Sequence, residues 1–231
     1  MTVVDEAVER AVVSCLAHLF PGVPVVGEEG AWADPALLAG VGSAESVFVC
    51  DPLDGTANFA AGLPLFGTML ALIRRGEPVA AWIHDPIRRD TAMAIRGEGA
   101  WVQAHDGRTR SLRVAPPEPL GRMAAVIAHR MLPAEQAVLV RSKLGLFGAG
   151  WELRCAAQEW RLGASGGVHT LFYWRLYPWD HAPGTLLYAE AGGFVRCLDG
   201  SPYHAGIHSG GLLAAPDAKS WHAVRDALFG Q

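Results

Sequence analysis

The chain has 231 residues, of which 51% are hydrophobic and 18% charged, with a formal net charge of −4. That length suits one large domain or two closely packed halves with a substantial core, and the balance excludes a disordered or fibrous chain. The small negative charge argues against broad binding to nucleic acid or a membrane surface, while leaving room for a local basic pocket. Cys15, Cys50, Cys155 and Cys197 are scattered without a CxxC pair, which reads as reduced thiols of a cytosolic, cytoplasmic protein.

Asp5 to Phe20 places Val8, Val12, Leu16 and Leu19 at helical spacing, which predicts an amphipathic helix ended by Pro21-Gly22. Its apolar part, Ala11 to Phe20, is broken by Ser14 and His18 and lacks a basic leader and a cleavage site. The expectation is therefore a soluble, intracellular protein without a membrane partner. Val23 to Val26 is a strand candidate running into Gly27-Glu28-Glu29-Gly30, and Ser46 to Cys50 is a strand entering an aspartate-bearing loop. Thr68–Ile73 and Pro78–Ile83 predict two strands around Arg74-Arg75-Gly76; Thr91–Arg96 and Ala100–Gln103 repeat the pattern around Gly97-Glu98-Gly99.

Val114 to Leu120, with Pro116, Pro117 and Pro119, is the expected boundary between an N-terminal half, 1–115, and a C-terminal half, 116–231. Beyond it come a strand at Ala124–Ala128 and helices at Ala134–Leu144, Ala156–Ser165 and Ala182–Ala191, the last ending at Gly192-Gly193. Leu212–Ala215 reads as a strand and Ala218–Phe229 as a closing helix, so the mixture is α+β in front and α/β behind.

The loop after the second strand, Asp51-Pro52-Leu53-Asp54-Gly55-Thr56-Ala57-Asn58-Phe59, carries the chemistry. Two carboxylates so close repel each other, and a hard divalent cation such as Mg²⁺, which takes oxygen ligands, relieves that repulsion. Gly55 lets backbone approach closely, and the N–H groups of Gly55 and Thr56 would face an anion if a helical turn starts there. The spacing alone fits equally an Asx-rich turn with Asn58 capping a helix. Glu28-Glu29 alone reads as a solvated acidic turn, and Asp180 in Trp179-Asp180-His181 as a helix N-cap.

Together GEE, DPLDGTANF and WDHAPGTLLYAEAGG, in this order and spacing, resemble the inositol monophosphatase family, part of the lithium-sensitive, Mg²⁺-dependent phosphatase superfamily. The resemblance runs from Thr2 to about Gly193. It implies a layered αβαβα sandwich of the inositol monophosphatase / fructose-1,6-bisphosphatase type, commonly homodimeric, with about two or three Mg²⁺ per site. It further implies that Glu28, Asp51, the Leu53 carbonyl, Asp54 and Asp180 ligate metal. Gly55 and Thr56 would offer N–H groups to the substrate phosphate, and Asp5 would pair with Thr56 to orient a water. Glu29 would stand behind the ligands or in solvent. The implied activity is Mg²⁺-dependent hydrolysis of a small phosphorylated metabolite, with no covalent phospho-enzyme.

Three features depart from the family pattern. The chain starts almost on the Thr2-Val3-Val4-Asp5 element, as if the usual first helix were missing, which points to a weaker outer metal site. Arg154-Cys155-Ala156-Ala157 stands where Gly-Ser/Thr-Ala-Ala is usual, and Tyr173, followed by Trp174 and Arg175, stands seven positions before Asp180, where an acid often binds sugar hydroxyls. With Arg154, Ala156 and Arg175 on the substrate wall, a substrate bearing a second anionic or ring group is expected; the two arginines read equally as pointing away, pairing with acids or capping the helix. A 3′(2′),5′-bisphosphate nucleotidase and a histidinol or sugar phosphate phosphatase remain alternatives. So does a catalytically weakened relative that binds a phosphometabolite. His84-Asp85-Pro86 reads as a strand end, Cys155 as structural, and His181 as either touching the site or solvated.

Overall fold

The computed structural model describes residues 2–230. Helix α1 (Val3–Leu19) starts in a capping box: the Thr2 hydroxyl accepts the Val4 N–H, and the Asp5 carboxylate accepts the Thr2 N–H. Seven strands then lie side by side in chain order: β1 (Val25–Gly27), β2 (Val47–Asp54), β3 (Gly67–Arg74), β4 (Glu77–Asp85), β5 (Asp90–Ile95), β6 (Gly99–Ala104) and β7 (Thr109–Ser111). β1 runs parallel to β2 and every later neighbour is antiparallel. Tight turns dictate this order. Arg75 and Gly76, with φ of 48° and 79°, make a two-residue connection whose twist matches the strands it joins. Between strands lie the short helices α2 (Glu28–Ala33), α3 (Ala36–Ala39) and α4 (Thr56–Ala60).

The second sheet has five strands in the order β11 (Phe194–Cys197), β12 (Leu212–Ala215), β10 (Thr170–Tyr173), β8 (Ala124–Ile127) and β9 (Ala149–Trp151). Its helices are α5 (Ala134–Lys143), α6 (Ala156–Ala164), α7 (Pro178–Glu190) and α8 (Ala218–Phe229). α6 and α7 fill the space between the sheets, α1 packs on β2, and α5 and α8 cover the far face of the second sheet. The layers thus follow the expected αβαβα order. The central core joins Met69 and Ile83 of the first sheet to Trp160 and Tyr188 of the helices and to Val126 and Leu171 of the second sheet. β10 and β12 are buried on both faces, which is why they read as unbroken apolar runs.

Two expectations need correction. The last inner helix begins at Pro178 rather than Ala182, because proline suits the first helical position and lacks only an N–H the helix would leave unpaired. Asn58 does not cap a helix: it lies inside α4 and its amide donates to the carbonyls of Leu65 and Leu153. Among the described residues no helix is long and apolar enough to cross a membrane.

Candidate active site

In a regular strand, residues three apart point to opposite faces. β2 escapes this because its register against β3 shifts between Asp51 and Asp54, a bulge that lets both carboxylates act on each other. Asp51 is 2% exposed and its Oδ1 accepts the Leu53 N–H at 2.9 Å. Asp180 arrives from the first turn of α7, close enough for its carboxyl and that of Asp51 to act on each other. Glu28 is the first residue of α2. Burial, then Asp54, Glu28 and Asp180, hold the Asp51 carboxyl well above the usual range; burial, then Asp54 and Glu28, do the same to Asp180. Asp54 is pushed up to about 6 by burial, against hydrogen bonds from the Ala157 N–H and the Cys155 thiol.

Among the described residues none of Asp51, Asp54 and Asp180 has a lysine, arginine or histidine within ion-pair distance. A hard, all-oxygen donor set without its own positive charge suits a hard divalent cation, so these residues fit the implied Mg²⁺. As the side chains stand, no three acidic, histidine or cysteine groups among the described residues close on a single point to make a finished cage.

Glu9, which the sequence reading passed over, fixes the approach of Glu28. Its two oxygens accept the N–H groups of Glu29 and Gly30, each at 2.9 Å, and so cap the start of α2. The same carboxylate explains Gly27, where a β-carbon would meet Glu9 Cδ at 2.2 Å. Glu9 lies one helical turn beyond Asp5 on α1, and that spacing was the available signal. Glu28 itself accepts the Trp32 indole N–H at 3.2 Å. Glu29 is half-buried rather than fully solvated, and burial followed by Glu28 pushes its carboxyl up.

The Asp5–Thr56 pair forms across distant segments. The Thr56 hydroxyl has two acceptors in reach, Leu53 O at 2.9 Å and Asp5 Oδ1 at 3.3 Å. Gly55, just before α4, has φ of 84° and no room for a side chain, since a β-carbon would lie 2.7 Å from the Leu65 carbonyl.

A cavity of about 350 Å³ opens beside Asp54 and Asp180, and Arg154, Ala156 and Arg175 all line it. Cys155, buried, donates its thiol proton to Asp54 Oδ2 at 3.1 Å, and burial pushes the thiol up, so it stays an inert structural group. Two further residues line this wall: Glu159, which was not foreseen, and His181, read from the sequence as either touching the site or solvated. Glu159, at 2% exposure, accepts the Leu153 N–H at 2.7 Å and the Tyr173 O–H at 2.9 Å; burial raises its carboxyl to about 7. His181 is buried and not solvated. Its Nε2 lies 2.9 Å from the Arg175 carbonyl, which can only accept, so Nε2 carries the proton; burial lowers the ring to about 3 and keeps it neutral. Neither residue has a sequence signature, because burial of a helix-borne polar group shows only when its neighbours arrive.

Comparison with known proteins agrees with this geometry. The family model described as "Inositol monophosphatase family" matches residues 1–228. A protein named Nus factor SuhB from Xylella fastidiosa is 33% identical over 210 residues, spanning 86% of this chain and 69% of that protein. The fructose-1,6-bisphosphatase/inositol-1-monophosphatase of Thermotoga maritima is 27% identical over 235 residues, spanning 100% of this chain and 86% of that one. Among solved structures, the extragenic suppressor protein SuhB of Bartonella henselae superposes with a TM-score of 0.83 at 26% identity, covering 99% of this chain and 85% of that one.

Proposed function

The chain belongs to the inositol monophosphatase family, and on that premise we propose that it hydrolyses a small phosphate monoester with Mg²⁺. One observation carries the reading. Carboxylates from β2, α2 and α7 stand together, Asp51 buried and Glu28, Asp54 and Asp180 half-buried, with no cationic side chain within ion-pair distance of Asp51, Asp54 or Asp180 among the described residues, beside a cavity and an Asp5–Thr56 pair. Such a cluster destabilises a fold unless a bound cation compensates it.

In this reading Glu28, Asp51, Asp54, Asp180 and the Leu53 carbonyl hold Mg²⁺, Glu9 holds the start of α2 in place, and Asp54 ties the site to the start of α6. Bound there, Mg²⁺ supplies charge neutralisation of the phosphate and a lowered pKa for a coordinated water. The Thr56 hydroxyl donates a hydrogen bond to Asp5 and accepts one from the attacking water on its own lone pair, which orients that water towards phosphorus; the proton the water loses passes to solvent, and the departing alkoxide takes one from solvent. The N–H groups of Gly55 and Thr56 steady the phosphate oxygens. The new P–O bond forms opposite the ester bond, which breaks to release the alcohol, and no side chain bonds to phosphorus.

The reading carries with it a homodimer, a cytoplasmic location and two halves, 1–115 and 116–231, that meet at the site. The test is phosphate release over a panel of inositol, sugar, histidinol and 3′-nucleotide phosphates, with and without Mg²⁺. Asp51→Asn serves as the blank. Mg²⁺-dependent release that disappears in the variant supports the proposal; no release from any substrate refutes it.

The relatives named Nus factors favour a second reading, in which the chain acts by binding a partner, nucleic acid included. Retention of Asp5, Glu28, Asp51, Asp54, Thr56 and Asp180 weighs towards hydrolysis, since a non-catalytic member has no use for buried, mutually repelling acids.

A further inference from the structure

Most acceptors on the wall of the cavity are engaged, the buried Nδ1 of neutral His181 being one that has no partner among the described residues, while two strong donors are free. Both oxygens of Glu159 are taken, one by the Leu153 N–H and one by the Tyr173 O–H. Glu152 faces Arg130 at 3.3 Å and His129 at 3.8 Å. The Arg175 carbonyl is occupied by His181. A polyol leaving group needs acceptors for its hydroxyl protons, and this wall leaves it few. Two guanidinium groups remain: among the described residues no ion pair includes Arg154 or Arg175.

Each of the two is placed on purpose by the fold. Arg154 has φ of 56°, the left-handed region where a β-carbon is strained and glycine is at ease. Strain of that kind collects at functional sites. Arg175 lies with its guanidinium 4.7 Å from the Tyr177 ring centre, and Tyr177 stacks on Trp179 at 5.0 Å. Stacking holds the guanidinium by its face and leaves the N–H edges free for an anion. Its charge reaches Asp180, so this exposed side chain stands beside the acid cluster.

We propose that Arg154 and Arg175 form a second anion subsite on the rim of this cavity, selecting a substrate whose leaving group carries a further phosphate. The proposal rests on the phosphatase reading above for its substrate, and on the donor and acceptor inventory for its chemistry. A phosphate accepts hydrogen bonds only and takes them best from arginine. The cavity volume of about 350 Å³ leaves room beyond the hydrolysed phosphate for a small scaffold bearing the second one.

Two matched substrate pairs test it: inositol 1-phosphate with inositol 1,4-bisphosphate, and adenosine 3′-phosphate with adenosine 3′,5′-bisphosphate. In the Mg²⁺-loaded protein, kcat/KM should favour the bisphosphate of at least one pair by about tenfold or more. Arg154→Gly and Arg175→Gln should each lower kcat/KM for the bisphosphate far more than for the monophosphate, removing most of that preference. Arg154→Lys should restore part of it. Arg154→Gly relieves the left-handed strain, so loss of folding is not its expected effect. Calorimetric binding of the same compounds to Asp51→Asn and to Asp51→Asn/Arg154→Gly, with Mg²⁺, separates the two readings. Bisphosphate binding that depends on Arg154 without hydrolysis by the native chain supports the subsite and refutes the phosphatase. Hydrolysis without bisphosphate preference, or a preference that survives both substitutions, overturns the subsite and leaves the phosphatase standing. Neither hydrolysis nor preferential binding overturns both.

Discussion

Removing one charge from the acid cluster should stabilise the metal-free protein, and the effect should depend on pH. Asp54 has a folded-state pKa of about 6 against an ordinary 3.8, with burial as the main cause. A raised carboxyl pKa means the folded state binds its proton more tightly than the unfolded chain. The associated stability is therefore full below the unfolded value and is lost as pH rises through the folded one. The whole shift corresponds to about 3 kcal/mol, of which about 2.5 kcal/mol disappears between about pH 4 and pH 8. Asparagine mimics the protonated acid and cannot ionise. In EDTA, Asp54→Asn should thus gain about 2.5 kcal/mol on the native protein between those pH values, or about 5–10 °C in Tm for a chain this size. Urea or thermal unfolding of both proteins at the two pH values, with EDTA and then with Mg²⁺, reads it directly. Mg²⁺ should cancel that advantage at pH 8, adding about 2.7 kcal/mol to the native protein at a hundredfold excess over its Kd and little to the variant. A constant difference between the two proteins across pH, or destabilisation of metal-free Asp54→Asn at pH 8, would refute the reasoning.

Thr56→Ala removes the hydroxyl that bridges to Asp5 at 3.3 Å, so kcat should fall by about a hundredfold or more with substrate KM nearly unchanged. Glu9→Ala takes both acceptors from the start of α2; unfolding should show a loss of about 1–2 kcal/mol, and the Mg²⁺ concentration for half-maximal activity should rise as Glu28 loses its support. Gly184→Ala would drive a β-carbon to 2.0 Å from the Trp160 ring between the sheets, so Tm should drop by several degrees, reflecting about 1–3 kcal/mol of overpacking.

The parts of this protein that were readable in advance are those written in local periodicity. Helix α1 follows from apolar residues three and four apart, and the hairpins of the first sheet follow from alternation around Arg75-Gly76 and Gly97. The ends of elements were less readable. α7 starts four residues before the expected point because Pro178, which looks like a helix stop, is favourable as a helix start. Asn58 looked like a cap because asparagine usually serves locally; here its partners are the carbonyls of Leu65 and Leu153, and the second belongs to a segment folded in from far along the chain.

The sequence by itself supplied the acids at 5, 28, 51, 54 and 180, with Thr56, and the resemblance of their order and spacing to the inositol monophosphatase family is what implied metal and phosphate. Side-chain type and separation along the chain are preserved in a linear string, and that was enough. Only the tertiary structure decided how those acids are supported and what faces them. Glu9 caps α2, Asp54 meets the start of α6, Glu159 is consumed by Tyr173 and Leu153, and Arg154 and Arg175 are left without acids. The reason is that hydrogen-bond satisfaction and desolvation belong to pairs of segments brought together by packing, and no single segment contains them.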